Sequence, residues 1–231
     1  MAVIETRSTE TELITTGRRP RRRIAGARDG GRRIGSHVFL VILSFYFVIP
    51  IWWLFVGWLP LYLNETYGFG VEEIATYAAV PYIGAMFGAW FGGLLAQNRI
   101  QAGWTVNRTR KFVIGLGGAI MLVSLLATTQ AATPLIAVLL MAAILFGFQT
   151  AVGNIQTLPS DFYSGNSVGT LAGYAGTAAK LAVVGLNFLI PIITVDSYAP
   201  AFVVGAGLAI MTVLSVLVLC PEIKPLKPKS A

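Results

Sequence analysis

Residues 38–63 read VFLVILSFYFVIPIWWLFVGWLPLYL, twenty-six positions without one charged side chain. At about 1.5 Å per residue, a helix of this length exceeds the roughly 30 Å of hydrocarbon in a bilayer. Lipid offers the backbone no hydrogen-bond partners, so the stretch is a membrane-spanning helix. Five more apolar runs follow, at 74–96, 112–129, 134–156, 168–194 and 198–219. The predicted fold is an all-α integral membrane protein with six transmembrane helices and almost no soluble body.

Composition agrees. Of 231 residues, 55% are apolar and 12% charged, and the mean hydropathy is +0.72, well above soluble proteins of this size. One cysteine, Cys220, excludes an internal disulfide, and one histidine, His37, excludes a histidine metal site or triad. No nucleophile–base pair or metal motif is present, so neither an enzyme nor a bound cofactor is expected.

The net charge of +7 is distributed by topology. Nine arginines precede the first span, including Arg18, Arg19 and Arg21, while Arg99, Arg108, Arg110 and Lys111 separate spans two and three. Lys224, Lys227 and Lys229 follow the last span, and the alternate loops carry no basic residue. The positive-inside rule then puts both termini in the cytoplasm of a multi-pass plasma-membrane protein. The division expected is an Arg-rich leader at 1–37, a bundle at 38–220 and a tail at 221–231. The leader reads as attraction to anionic lipid rather than to nucleic acid, since no nucleic-acid-binding module accompanies it. It lacks a short apolar core and contains Glu5, Glu10 and Glu12, unlike a cleavable signal.

Inside the spans, Gly84, Gly88 and Gly92 form overlapping GxxxG steps, and Gly169 with Gly173 forms another, which predicts close helix packing. Trp58 and Tyr62 are expected at the membrane interface, with Trp53 deeper. Pro50, Pro60, Pro81 and Pro191 interrupt helices. Lys180 falls near the middle of span five, where a lysine costs about 2.5–3.5 kcal/mol and needs a cavity or partner. Gly173, Thr177, Lys180, Val184 and Asn187 share its helix face. A structural lysine bonded to carbonyls is the alternative. Gln149, Gly153 and Gln156 share a face of span four beside Asn154, and Tyr46, Pro50 and Trp53 align in span one. Ligand contact and interhelical bonding explain these polar groups equally. All ten acids are read as lying outside the spans.

Four stretches carry a family resemblance: Trp58-Leu59-Pro60-Leu61-Tyr62-Leu63, residues 92–96 with 103–111, residues 153–161 with 167–173, and Ser197-Tyr198-Ala199-Pro200-Ala201-Phe202. In this order and spacing they resemble helices seven to twelve of the anion:cation symporters of the major facilitator superfamily, carriers of hexuronate, galactonate and glucarate. The resemblance implies a C-terminal six-helix half and an H+- or Na+-coupled secondary carrier of small organic anions. An N-terminal half or a second copy would serve as partner. It further implies substrate contacts from Lys180, Asn187, Gln149, Asn154, Tyr46 and Trp53. A gating loop would comprise Gly93, Gln97, Arg110, Lys111 and Asp161. Gln97 stands where the superfamily loop normally has an acid. A truncated, non-transporting membrane protein is the alternative.

Overall fold

In a computed structural model, the structure describes residues 25–218 and residue 223, with side chains from Gly35 onward. The leader up to residue 24 and most of the tail lie outside the described residues. The bundle begins at Ser36. The helices are α1 (Ala25–Tyr67), α2 (Val71–Tyr77), α3 (Ala79–Gln101) and α4 (Val106–Thr128). They continue with α5 (Pro134–Ile155), α6 (Leu158–Phe162), α7 (Asn166–Ile193) and α8 (Ala199–Leu217). Six segments are long and apolar enough to cross a membrane: Gly35–Tyr67, Val71–Gln101, Val106–Thr128, Pro134–Phe162, Asn166–Ile193 and Ala199–Leu217.

Their limits follow local chemistry. Thr105 and Thr133 cap α4 and α5, each hydroxyl accepting an amide hydrogen bond at 3.3 Å, from Arg108 and Ile136. The cap at Thr105 lets α4 begin six residues before the apolar run does, because basic residues with good helix propensity extend it. Pro81 has no amide to give the Tyr77 carbonyl, and the second span breaks at Ala78, between α2 and α3. Pro50 and Pro60 remain inside α1, and Pro191 remains inside α7. They deprive the carbonyls of Tyr46, Val56 and Asn187 of their usual helical donors.

At the centre, α5 packs along both α3 and α4, and α4 packs on α8. Glycines set the approach. A Cβ on Gly88 would lie 2.7 Å from the Phe146 Cα, and one on Gly92 would lie 2.9 Å from the Thr150 Cα. Gly84 meets the Ala142 backbone in the same way. The α4–α5 crossing uses a reciprocal pair, in which a Cβ on Gly117 or Gly147 would stand 2.6 Å from the other's carbonyl oxygen. The Thr150 hydroxyl, fully buried, reinforces the α3–α5 seam by donating to the Gly88 carbonyl at 3.1 Å. The first glycine series thus packs as its spacing predicts.

The second does not. Gly169 and Gly173 face open space. The buried stripe of α7 is instead Leu171, Ala175, Ala179, Val183, Leu186 and Ile190. Tyr62, expected at the membrane interface, lies near the end of α1 with its ring turned into the bundle. It is 6% exposed and packs edge-on against Tyr67, Tyr198 and Phe202. The Tyr67 hydroxyl lies 3.2 Å from that of Tyr62, so the buried phenol keeps a polar partner. Trp58 packs against the Leu54–Leu186–Ile190 cluster.

Candidate functional site

Lys180 sits about 20 Å from either end of α7, near its midpoint. Its side chain is exposed at the bundle surface rather than folded onto backbone carbonyls. The ammonium rests over the Trp53 ring of α1, 4.2 Å from the centroid. An exposed ammonium on an indole face gains about 0.5–1 kcal/mol, which offsets only part of the cost, about 2.5–3.5 kcal/mol, of holding lysine at membrane depth. No carboxylate pairs with Lys180 among the described residues.

Beside it lies a cleft of about 400 Å³ between α1, α5 and α7, lined by Trp52, Trp53, Phe148, Gln149, Gln156 and Lys180 among others. Trp52 is held by Phe148, with ring centroids 5.6 Å apart, and by Tyr82 of α3 at 5.8 Å. One cation, two amide side chains and aromatic walls therefore converge, a combination suited to a small anion with apolar and hydroxylated surface.

The structure brings together only part of the predicted set. Lys180, Trp53 and Gln149 line one cleft. Tyr46 points elsewhere, half-exposed and edge-on to Phe47. Asn187, two turns beyond Lys180, donates its amide to the Val183 carbonyl at 2.9 Å. Asn154 belongs to a different cluster. It is 3% exposed, donates to the Thr150 carbonyl at 3.1 Å, and accepts from the Arg110 guanidinium at 2.8 Å. Trp52 and Gln156 were not among the predicted site residues. For Gln156 the signal was there, since it shares a face with Gln149; for Trp52 the helix face of Trp53 pointed away.

Arg110 also pairs with Asp161 at 3.0 Å, both side chains mostly buried, tying α4 to α5 and α6. Gly93, Gln97, Arg110, Gln149 and Asn154 border a second groove of about 420 Å³. Lys111 turns away, donating to the Leu217 carbonyl at 3.4 Å. The five loop residues are thus split: four lie in or beside one groove, and Lys111 reaches α8. Asp161→Asn is expected to lower stability by about 2 kcal/mol, read as a lower thermal midpoint in detergent, with Asp161→Glu recovering part.

At the other end of α4 a cavity of about 460 Å³ is bordered by Tyr62, Glu65, Tyr67, Asp196, Tyr198 and Phe202. There the Tyr198 hydroxyl donates to the Glu65 carboxylate at 2.6 Å, fastening the end of α1 to the start of α8. Burial, and then the neighbouring carboxylate, raise the Tyr198 pKa, so the phenol keeps its proton at ordinary pH.

Six spans with a cationic, aromatic-walled cleft between three of them define a multi-pass membrane protein. The chain matches the Major Facilitator Superfamily over residues 5–186, and it belongs to that family. It is 30% identical over 178 residues to the hexuronate transporter of Escherichia coli K12, which covers 75% of this chain and 41% of that protein. It is 27% identical over 222 residues to a probable sulfoacetate transporter of Cupriavidus necator, covering 93% of this chain and 51% of that one. A probable galactarate/D-glucarate transporter of Escherichia coli K12 is 30% identical over 107 residues, 46% of this chain and 24% of that protein. The chain spans about half the length, or less, of these curated relatives.

Proposed function

We propose that this chain is the C-terminal six-helix bundle of a secondary transporter for small organic anions of the sugar-acid kind. Lys180 carries the proposal: a mid-span ammonium, exposed at a cleft and without a carboxylate partner among the described residues, is a site for a substrate carboxylate. Trp53 gives the apolar face of a sugar ring a surface, and Gln149 donates to or accepts from hydroxyls. Asn187, on the Lys180 face of α7, extends the path along that helix, while Tyr46 lies outside the cleft. Asn154 acts indirectly, by holding Arg110. The relatives' names support the ligand class, since they are called transporters of hexuronate, sulfoacetate and galactarate or glucarate.

Alternating access follows from one bundle rocking against another around a central site. The second bundle supplies the coupling group for H+ or Na+, because the described spans place no carboxylate beside Lys180. Gly93, Gln97 and the Arg110–Asp161 pair form the gate at the basic end, which faces the cytoplasm together with leader and tail. A second reading is favoured by the open glycine face of α7 and by the half-length coverage: the chain alone does not transport, and an N-terminal bundle or a second copy must cover this face. Uptake of labelled hexuronate into proteoliposomes separates the readings. Uptake restored by adding an N-terminal bundle supports the carrier, uptake by the chain alone supports self-assembly, and uptake under neither condition supports a non-transporting protein.

A further inference from the structure

The turn between α3 and α4 holds two guanidinium groups against one indole. Arg108 lies 4.0 Å from the Trp104 ring centroid and Arg99 lies 4.9 Å from it. Arg99 also lies 5.3 Å from the Phe112 ring, which meets Trp104 edge-on at 5.5 Å. The backbone fixes the arrangement. Gly103 takes a positive φ of 86°, which favours glycine, and the Trp104 amide then returns to the Arg99 carbonyl at 3.0 Å. Thr105, capping α4, receives the Arg108 amide at 3.3 Å.

The charges are placed against the field of the helix. Arg108, Arg110 and Lys111 stand at the start of α4, where exposed amides already present partial positive charge, and the first turn contains no acid. Among the described residues, Arg110 has Asp161 as its anion, whereas Arg99 and Arg108 enter no ion pair. Glu65 and Asp196 border the cavity at the opposite end of α4. Among the described residues, no carboxylate meets Arg99 or Arg108, and both guanidinium groups stand ready for an anion.

Position says which anion. Arg99 lies in the last turn of α3 and Arg108 in the first turn of α4, the ends of two spans, where lipid phosphates lie. Ile100, Val106 and Phe112, all exposed, border the turn with apolar surface at the depth where acyl chains begin.

We propose that Arg99, Trp104 and Arg108 form a binding site for the headgroup of an anionic phospholipid. Indole stacking holds the two guanidinium planes so that little side-chain freedom is lost when the phosphate binds. The site is separate from the Lys180 cleft, and its test needs no transport. The full chain is reconstituted in phosphatidylcholine vesicles containing brominated phosphatidylglycerol or brominated phosphatidylcholine. Fluorescence quenching is compared between the chain and Trp104→Phe, so that the difference reports Trp104. At about fivefold per arginine, phosphatidylglycerol is expected to bind there about 25-fold more tightly than phosphatidylcholine. Arg99→Gln/Arg108→Gln is expected to erase most of that preference with an unchanged thermal midpoint. Arg99→Lys/Arg108→Lys, which keeps the charge and guards against misfolding of the glutamine variant, is expected to retain an intermediate preference. Equal quenching by the two lipids would overturn the site, as would an undiminished preference in either double variant. Displacement of the lipid by inorganic phosphate at constant ionic strength would also overturn it, assigning the turn to a soluble anion.

Discussion

Replacing Lys180 with methionine is expected to weaken sugar-acid binding by about 10- to 100-fold while raising the thermal stability of the bundle. The first effect follows from losing a charge-assisted contact worth about 1.5–3 kcal/mol. The second follows from removing an ammonium from mid-membrane, where it costs about 2.5–3.5 kcal/mol less whatever Trp53 returns. A structural lysine gives the opposite pair, unchanged binding and lower stability, so the sign of the stability change separates the two roles. Lys180→Arg keeps the charge and should retain most of the affinity. Trp53→Phe should cost less than Trp53→Ala, because a phenyl face still holds a cation, though more weakly than an indole. Binding is measured by isothermal titration with galacturonate on the chain assembled with an N-terminal bundle, and stability by thermal melting in detergent.

The second large effect concerns packing. Gly88→Val is expected to destabilise the bundle by about 3 kcal/mol or more, and Gly88→Ala by about 1–3 kcal/mol. A single added carbon would stand 2.7 Å from the Phe146 Cα and closer still to its carbonyl oxygen, and backbone cannot move aside as a side chain can. Pushing α3 off α5 would also lengthen the bond from the Thr150 hydroxyl to the Gly88 carbonyl. Gly169→Ala and Gly173→Ala are the contrasting substitutions. Both positions face open space in helical backbone, so the bundle alone should be unchanged or slightly stabilised by better helix propensity. If α7 docks against a second bundle, the same two substitutions should weaken that association and leave the isolated bundle intact. Thermal melting and co-purification of the two bundles read these outcomes.

Much of the fold was legible because lipid imposes a strong rule on the chain. Length and apolarity located all six spans, and the ends of α5, α7 and α8 lie within about two residues of the apolar limits. The beginning of α4 did not, since Arg108, Arg110 and Lys111 are polar yet helical once Thr105 caps them. Glycine spacing identified a close contact in α3 but could not say which glycines meet a neighbour. The α3 series and the α7 pair look alike in sequence, and only the path of α5 past α3 makes them different. The Gly117–Gly147 crossing escaped notice because its two glycines lie on separate helices.

The site was legible residue by residue, less so as a constellation. A lone lysine in an apolar span announces itself by its energetic cost, and its partner Trp53 was already singled out. Helical periodicity says which residues share a face on one helix, not which faces meet. Hence Asn154, one position from a polar stripe, turns to Arg110 instead of the cleft. The Arg99–Trp104–Arg108 turn reads in sequence as topology-setting charge and part of a family loop, because the indole between the arginines becomes visible when the loop is folded.

The most direct measurement is uptake of radiolabelled hexuronate into proteoliposomes holding this chain together with an N-terminal six-helix bundle of the same family, compared with Lys180→Met in the same assembly. The expected result is concentrative uptake that depends on an imposed ion gradient and falls at least tenfold in the variant. Uptake unaffected by the loss of Lys180, or absent from an assembly shown to be folded and paired, would contradict the assignment of this bundle as the anion-binding half of a carrier.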